Sequence, residues 1–489
     1  MERRKKAGFL LGPLFFLIVY FSPVLPQNPK THALLAIFLL VVIWWITECI
    51  PIPITALLIP IFITTFKVAT VTEAFAPFAN PIIMLFLGGF VLARAMCVHA
   101  LDQRLAYSIL SRKSIGHKKT RILFALGMTS LGVSLWVSNT ATTAMMYPIA
   151  LGVLDALHAG KEGEDLSSYG TALLLAIAYS SSIGGVGTPI GSPPNLIAIG
   201  MLEKLANYRV TFFQWMVVGF LVLIPMYLFL FFYLKFRHRI KAQAESAADL
   251  PLTDQKLHKG PLTRAQKNVL IAFGVTVFLW IFPGFVSLFW GSKAPLYLWL
   301  NEHFPESAVA IIGAGLLFLL PVNFSRGEFT LSLKEAMNID WGTLLLFGGG
   351  LSLGFQMFET GLADIIGKFF FSLGGSSASL ALITLLSVTF SIFLTEVTSN
   401  TAAANMIIPI IIALAKAASI SPLPPVLGSA IACSYAFMLP VGTPPNAIVY
   451  ASGLIPISQM IRHGFWLNIA GIILIWTTVT FIAPLLGLL

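Results

Sequence analysis

VSNTATTAMMYP (137–148) and TSNTAAANMIIP (398–409) are the two stretches on which the reading of this chain turns. Ser-Asn-Thr-Ala, a methionine and a proline recur in them at one displacement, 261 residues (138 to 399, 145 to 406, 148 to 409). A second pair lies downstream: Pro193-Pro194-Asn195 returns as Pro444-Pro445-Asn446, 251 residues later. Gly88-Gly89 returns as Gly348-Gly349. The ten-residue shortfall between the two displacements falls where the first half carries an additional polar loop, HAGKEGEDLSSY (158–169). Three motifs in one order at nearly fixed displacement describe a duplicated unit, with cores at about 60–200 and 320–453.

The surroundings of the motifs set the solvent. Of 489 residues, 57% are hydrophobic and 10% charged, against about 25% charged in a soluble domain. One globule cannot hide that much apolar surface. Runs at 8–25, 33–47, 211–234, 269–290, 308–325 and 465–489 approach or exceed the roughly 20 apolar residues of a spanning helix. Longer zones at 81–100, 122–157, 169–202, 341–372, 377–418 and 424–456 are interrupted by Gly, Pro, Ser and Asn. The fold class expected is an all-α polytopic membrane protein, with about 11 transmembrane helices plus two re-entrant hairpins. Segment 8–25 reads as a retained first helix, because it lacks a small-residue cleavage site.

The net charge of +10 belongs to this topology and not to nucleic-acid binding. Arg3 to Lys6, the run 112–121 and the stretch 235–267 hold much of it, and Lys/Arg enrichment of that kind marks cytoplasmic loops. The expected location is the cell membrane, multi-pass, with the N-terminus and the polar connector 236–267 inside. The expected division is an N-terminal helix in 1–30, a first repeat in 31–210, a helix in 211–235, the connector, a second repeat in 268–456, and a C-terminal helix in 461–489. The first repeat contains hairpin 119–157 and broken helix 169–202; the second contains hairpin 377–418 and broken helix 424–453. Five crossings per unit, an odd number, would invert the second copy in the membrane.

Each hairpin is apolar except at its Ser-Asn-Thr centre, where two half-length helices meet. Ser and Asn favour the N-cap, so a half-helix beginning there aims its partial positive end at the bilayer midplane and can hold an anion without a buried Lys or Arg. The last carbonyls of the preceding half-helix, with hydroxyl oxygens, suit a small hard cation. Ser134 and Thr395, each four residues before its motif serine, lie on the same helix face as further cation ligands. In IGGVGTPIGSPPN (183–195) and MLPVGTPPN (438–446), Gly and Pro end the helix. Unwound backbone at membrane depth lines a cavity or is buried in protein. Gly191 and Gly442 would bring carbonyls to an ion, with Ser192 and Thr443 beside them. A single Ser or Thr in a membrane helix usually bonds to the previous turn; four clusters placed alike in two repeats argue for a shared site.

Through these motifs the chain resembles, over essentially its whole length, the divalent anion/sodium symporter family, the INDY-type di- and tricarboxylate carriers. The resemblance implies a homodimer with scaffold and transport domains in each protomer, working by an elevator motion. It implies one sodium held by Ser134, Ser138, Asn139 and Gly191, and a second by Thr395, Asn400 and Gly442. Asn139, Thr140, Ser192 and Pro193 would meet one substrate carboxylate, and Asn400, Thr401, Thr443 and Pro444 the other.

The expected function is sodium-coupled symport of C4-dicarboxylates (succinate, malate, fumarate) or related di- and tricarboxylates, with two or more sodium ions. The alternatives are a sodium-independent dicarboxylate or citrate exchanger on the same fold, a sulfate carrier, and a channel. An enzyme is not expected, since there is no His-Glu-x-x-His pair and no credible Ser/His/Asp grouping. Cys49, Cys97 and Cys433 are isolated and read as small hydrophobes. Glu396, three residues before Ser399, is the acidic residue that stands out; facing the site, it would bind a proton or brace the hairpin.

Overall fold

The computed structural model describes residues 3–110, 118–159, 167–240, 260–374 and 379–487. Helices dominate, and their starts carry local signals. Asn28 caps Pro29–Thr47, and Thr211 with Gln214 forms a capping box for Phe212–Arg237. Thr263 with Gln266 does the same for Arg264–Trp290. Thr70 with Glu73 and Ser332 with Glu335 box two short helices, Val71–Phe75 and Leu333–Ala336. At the second, bonds from the Ser332 hydroxyl and amide hold the Glu335 carboxyl below the usual range.

After these short helices one order of elements occurs twice. Pro81–Val98 is followed by Leu101–Leu110, Lys119–Ser134, Asn139–Ala159, Ser167–Gly184, Pro193–Ala206 and Phe212–Arg237. Trp341–Glu359 is followed by Leu362–Gly374, Leu380–Val397, Asn400–Ala417, Leu423–Cys433, Pro444–Tyr450 and Ile457–Thr477. Asn80 and Asp340 cap the first helix of each series. The connector segment 241–259 lies outside the described residues.

Among the described residues, 7 helices are long and apolar enough to cross a membrane, and a bent pair, Pro295–His303 with Glu306–Leu319 at 59°, makes 8. The sequence count of about eleven, with re-entrant segments besides, also includes shorter apolar pieces. The polar tips and Gly/Pro turns cut several apolar zones into such pieces, Leu423–Cys433 among them. Another difference is at 308–325, where the helix stops at Leu319 and Pro321–Asn323 pairs antiparallel with Glu328–Phe329. Asn268 holds that turn, its Nδ2 donating to Pro321 O at 3.2 Å and to Thr330 Oγ1 at 2.8 Å. Pro321 cannot donate to a helical ladder, so the chain turns there.

The two series interlock through glycines. Gly88 lies against the backbone of Ala310, and Gly349 against the backbone of Ala56; a Cβ at either would overlap the facing chain. Each series therefore packs its capped first helix on a helix preceding the other. Outward-facing Ile271, Phe278, Phe285, Leu288 and Phe289 give Arg264–Trp290 an apolar exterior for lipid.

Candidate binding site at the hairpin tips

Both hairpins turn at their Ser-Asn-Thr motifs. Ser138 and Ser399 begin the returning helices, with Ser138 Oγ accepting from Ala141 N at 3.3 Å and Ser399 Oγ from Ala402 N at 3.2 Å. Across each tip a hydroxyl meets the motif asparagine. Ser134 Oγ donates to Asn139 Oδ1 at 2.7 Å, and Thr395 Oγ1 to Asn400 Oδ1 at 2.8 Å. Thr395 Oγ1 also lies 2.7 Å from Cys433 O.

The Gly/Pro turns are tied by their own asparagines in one geometry. Asn195 Nδ2 donates to Gly185 O at 2.9 Å and Thr188 O at 2.8 Å. Asn446 Nδ2 donates to Ala436 O at 2.9 Å and Leu439 O at 3.0 Å. Each amide thus closes an unwound loop by binding carbonyls that no helix can satisfy. Ser192 and Thr443, the N-caps after these loops, make no capping bond with their side chains. Ser192 Oγ instead lies 2.8 Å from Ser434 Oγ, and the buried Thr443 Oγ1 has no partner among the described residues.

Hard oxygens converge at the first tip. A Cβ placed on Gly191 would lie 2.7 Å from Gly185 O, 3.0 Å from Leu135 O and 3.1 Å from Ser134 O. Only glycine leaves that cradle open, and carbonyl oxygens without a charged partner suit a small monovalent cation. Around Gly442 the same construction finds Ala436 Cβ at 3.2 Å, Glu396 Oε2 at 3.3 Å and Glu396 O at 3.4 Å. Ala436 stands where the first turn has Gly185, and a carboxylate stands where the first has a carbonyl.

Both tips and both turns face one cavity of about 1210 Å³. Of the residues expected from sequence, Ser138, Asn139, Thr140, Gly191, Ser192 and Pro193 line it from the first half, and Asn400, Thr401, Gly442, Thr443 and Pro444 from the second. Ser134 and Thr395 stand behind the wall, fully buried, acting on Asn139 and Asn400. The family described as the sodium:sulfate symporter transmembrane region matches residues 4–489.

The chain belongs to that family.

This symporter-family protein is therefore a multi-pass membrane transporter and not an enzyme. It is 36% identical over 488 residues to the sodium-dependent dicarboxylate transporter SdcS of Staphylococcus saprophyticus, covering 98% of this chain and 91% of that one. It is 37% identical over 490 residues, with 98% and 91% covered, to the protein of the same name from Staphylococcus aureus strain USA300. Its fold is similar to that of the YdaH transporter of Alcanivorax borkumensis, whose crystal structure is described as having an unusual topology. There the TM-score is 0.57 and the identity 16%, over 85% of this chain and 88% of that chain.

Several residues of the symporter-family site carry weight that the motifs alone did not assign. Glu396, 3% exposed, braces the second turn. Its Oε1 accepts from Phe437 N and Met438 N at 2.8 Å each and from Asn468 Nδ2 at 2.7 Å, and its Oε2 accepts from Leu439 N at 3.1 Å. In the first turn, Thr188 does the corresponding work with its hydroxyl, donating to Leu135 O and accepting from Gly191 N at 3.1 Å. Asn195 and Asn446 sit inside the recurring Pro-Pro-Asn, so their shared position was a visible signal of a shared role. Arg4, Lys5, Glu48, Arg94 and Asp340 also line the cavity, and no local motif points to them.

Proposed function

We propose that this protein is a sodium-coupled symporter for C4-dicarboxylates such as succinate, malate and fumarate, or for related di- and tricarboxylates. The observation that carries the reading is the meeting of two capped hairpin tips and two glycine turns on one cavity. The names of the relatives at 36% and 37% identity favour sodium as the coupling ion and a dicarboxylate as the cargo.

The chemistry follows from charge. Moving a dianion alone into a low-dielectric cavity is prohibitive. Neither tip carries an Arg or Lys, so at the tips bound cations and the positive ends of two half-helices balance it, with Arg4, Lys5 and Arg94 elsewhere on the cavity lining. In this reading Ser134, Ser138, Asn139 and Gly191 hold one sodium, and Thr395, Asn400 and Gly442 the second. One carboxylate meets Asn139, Thr140, Ser192 and Pro193; the other meets Asn400, Thr401, Thr443 and Pro444. Asn139 and Asn400 then serve both ligands, Oδ1 toward the cation and Nδ2 toward the anion. Sodium binding first completes the anion site, and linkage makes the coupling reciprocal. The remainder of the reading is two inverted repeats, an elevator motion of a transport domain against a scaffold, a homodimer, and a place in the cell membrane with the N-terminus cytoplasmic.

The test is uptake of labelled succinate into proteoliposomes with and without an inward sodium gradient, with citrate and sulfate as competitors. Sodium-driven uptake that is lost in Asn139→Ala and in Asn400→Ala, both still inserted, is the expected result. Uptake that ignores sodium but needs internal dicarboxylate would replace symport by exchange. Displacement of succinate by sulfate at lower concentration than by malate would reassign the cargo.

A further inference from the structure

Two helix C-termini meet beside the cavity. Pro29–Thr47 ends there, and Leu380–Val397 ends at the tip of the second hairpin. The last carbonyls of a helix lack intrahelical partners and carry partial negative charge, so two such ends repel. Thr398 Oγ1 reaches Trp45 O at 3.4 Å, a long bond for this task. The cation between the ends comes from far away in sequence. Arg4 Nη2 donates to Val397 O at 2.8 Å and also to Ile46 O, one carbonyl from each helix.

The seat of this arginine is built into the packing. Its helix, Arg3–Phe21, lies on Pro29–Thr47 through Gly8 and Gly12, where a Cβ would overlap the side chains of Thr47 and Trp44. The first tip is held differently. Trp136, which stands where the second tip has Val397, meets Phe273 edge to face at 5.1 Å and 83°. One tip is pinned by an aromatic ring and the other by a cation.

We propose that Arg4 is a positioning residue for the second hairpin tip. By fixing Val397 O it fixes the chain that passes through Thr398 into Ser399-Asn400, and with it the orientation of Asn400 and Thr401 toward their ligands. Arg4 touches neither ligand in this role. The proposal deepens the reading of the tips as the binding site and rests on it.

The experiment uses the full chain in proteoliposomes, comparing wild type with Arg4→Gln, Arg4→Lys and, as a control at an exposed side chain of the same helix, Lys6→Gln. A hydrogen bond from a charged donor is worth enough to shift half-saturation by about tenfold when lost. Arg4→Gln is expected to raise half-saturation for both sodium and succinate by roughly that factor while changing the maximal rate less than about twofold. Arg4→Lys, which keeps the charge but not the fork, should fall between, and Lys6→Gln should resemble wild type. A second measurement needs no transport. In a chain with Cys49, Cys97 and Cys433 replaced by alanine, Ile46→Cys and Val397→Cys are bridged by a short bifunctional thiol reagent, and Arg4→Gln should lower the yield several-fold. Wild-type half-saturation together with an unchanged yield in Arg4→Gln overturns the proposal. If Arg4→Gln is not recovered in membranes, Arg4→Lys at wild-type values in both measurements overturns it. Should wild type itself fail to carry succinate, the function proposed above falls, and the cross-link still decides the role of Arg4.

Discussion

At the scale of single residues, the two tips are alike in plan and unlike in charge. The cradle at Gly191 is walled by three backbone carbonyls between 2.7 and 3.1 Å from a Cβ position, and backbone cannot step aside. Gly191→Ala should therefore lower apparent sodium affinity by more than about tenfold, because the added methyl fills the space of an ion. Around Gly442 the nearest atoms stand at 3.2 to 3.4 Å, and two of the three are side-chain atoms, so Gly442→Ala should lower it several-fold less. The sodium dependence of succinate uptake separates the two; equal losses would remove the asymmetry. Glu396 belongs to the same comparison. Its four donors would be stranded in Glu396→Ala, each at about 1–3 kcal/mol, whereas Glu396→Gln keeps one oxygen as acceptor. The melting temperature in detergent should fall steeply for alanine and less for glutamine. If alanine melts with wild type, the clamp does not hold the turn.

At the scale of elements, the hairpins and broken helices were legible because their signals are local. A capping serine, a helix-ending Gly-Pro run and an apolar flank are each read within a dozen residues, and repetition confirmed which of them mattered. What escaped is what joins distant residues. Glu396 stood out in the sequence, but its clamp on the second turn did not, because its amide partners lie about forty positions on in the chain. Arg4 reaches carbonyls at Ile46 and Val397, a pairing that no window of sequence contains. Element ends were also displaced where an apolar run continues past its helix, as at Leu319. Asn195 and Asn446 lie between these cases: their recurrence was visible, yet their role depends on carbonyls seven and ten residues back. Asn195→Ala and Asn446→Ala each strand one buried carbonyl, Gly185 O or Ala436 O, at about 1–3 kcal/mol, and leave Thr188 O or Leu439 O to its backbone turn bond alone. Both should lower thermal stability and weaken the stabilisation that added sodium provides. A variant that loses stability but keeps the full sodium-induced shift would separate the turn from the cation site.

At the scale of the whole molecule, the decisive question is the orientation of the two series. Gly88 on Ala310 and Gly349 on Ala56 give reciprocal packing, which two copies related by a pseudo-twofold axis would produce. With that axis in the membrane plane, the hairpins enter from opposite faces and their tips meet in the middle, as the single cavity requires for both helix ends to reach one dianion. With the axis along the membrane normal, both hairpins would enter from one face, leaving the other face without a matching gate. The residues that begin the hairpins distinguish the cases. Lys118 and Ser379 are the N-caps of Lys119–Ser134 and Leu380–Val397, at the same displacement as the Ser-Asn-Thr motifs. In a background without native cysteines, Lys118→Cys should react with a membrane-impermeant maleimide only in inside-out vesicles, because the basic run 112–121 that contains it marks the cytoplasmic side. Ser379→Cys should react only in intact, right-side-out cells. Labelling of both from one face would leave the duplication intact but make it parallel. It would also deprive the two tips of the opposed approach on which alternating access through a single cavity depends.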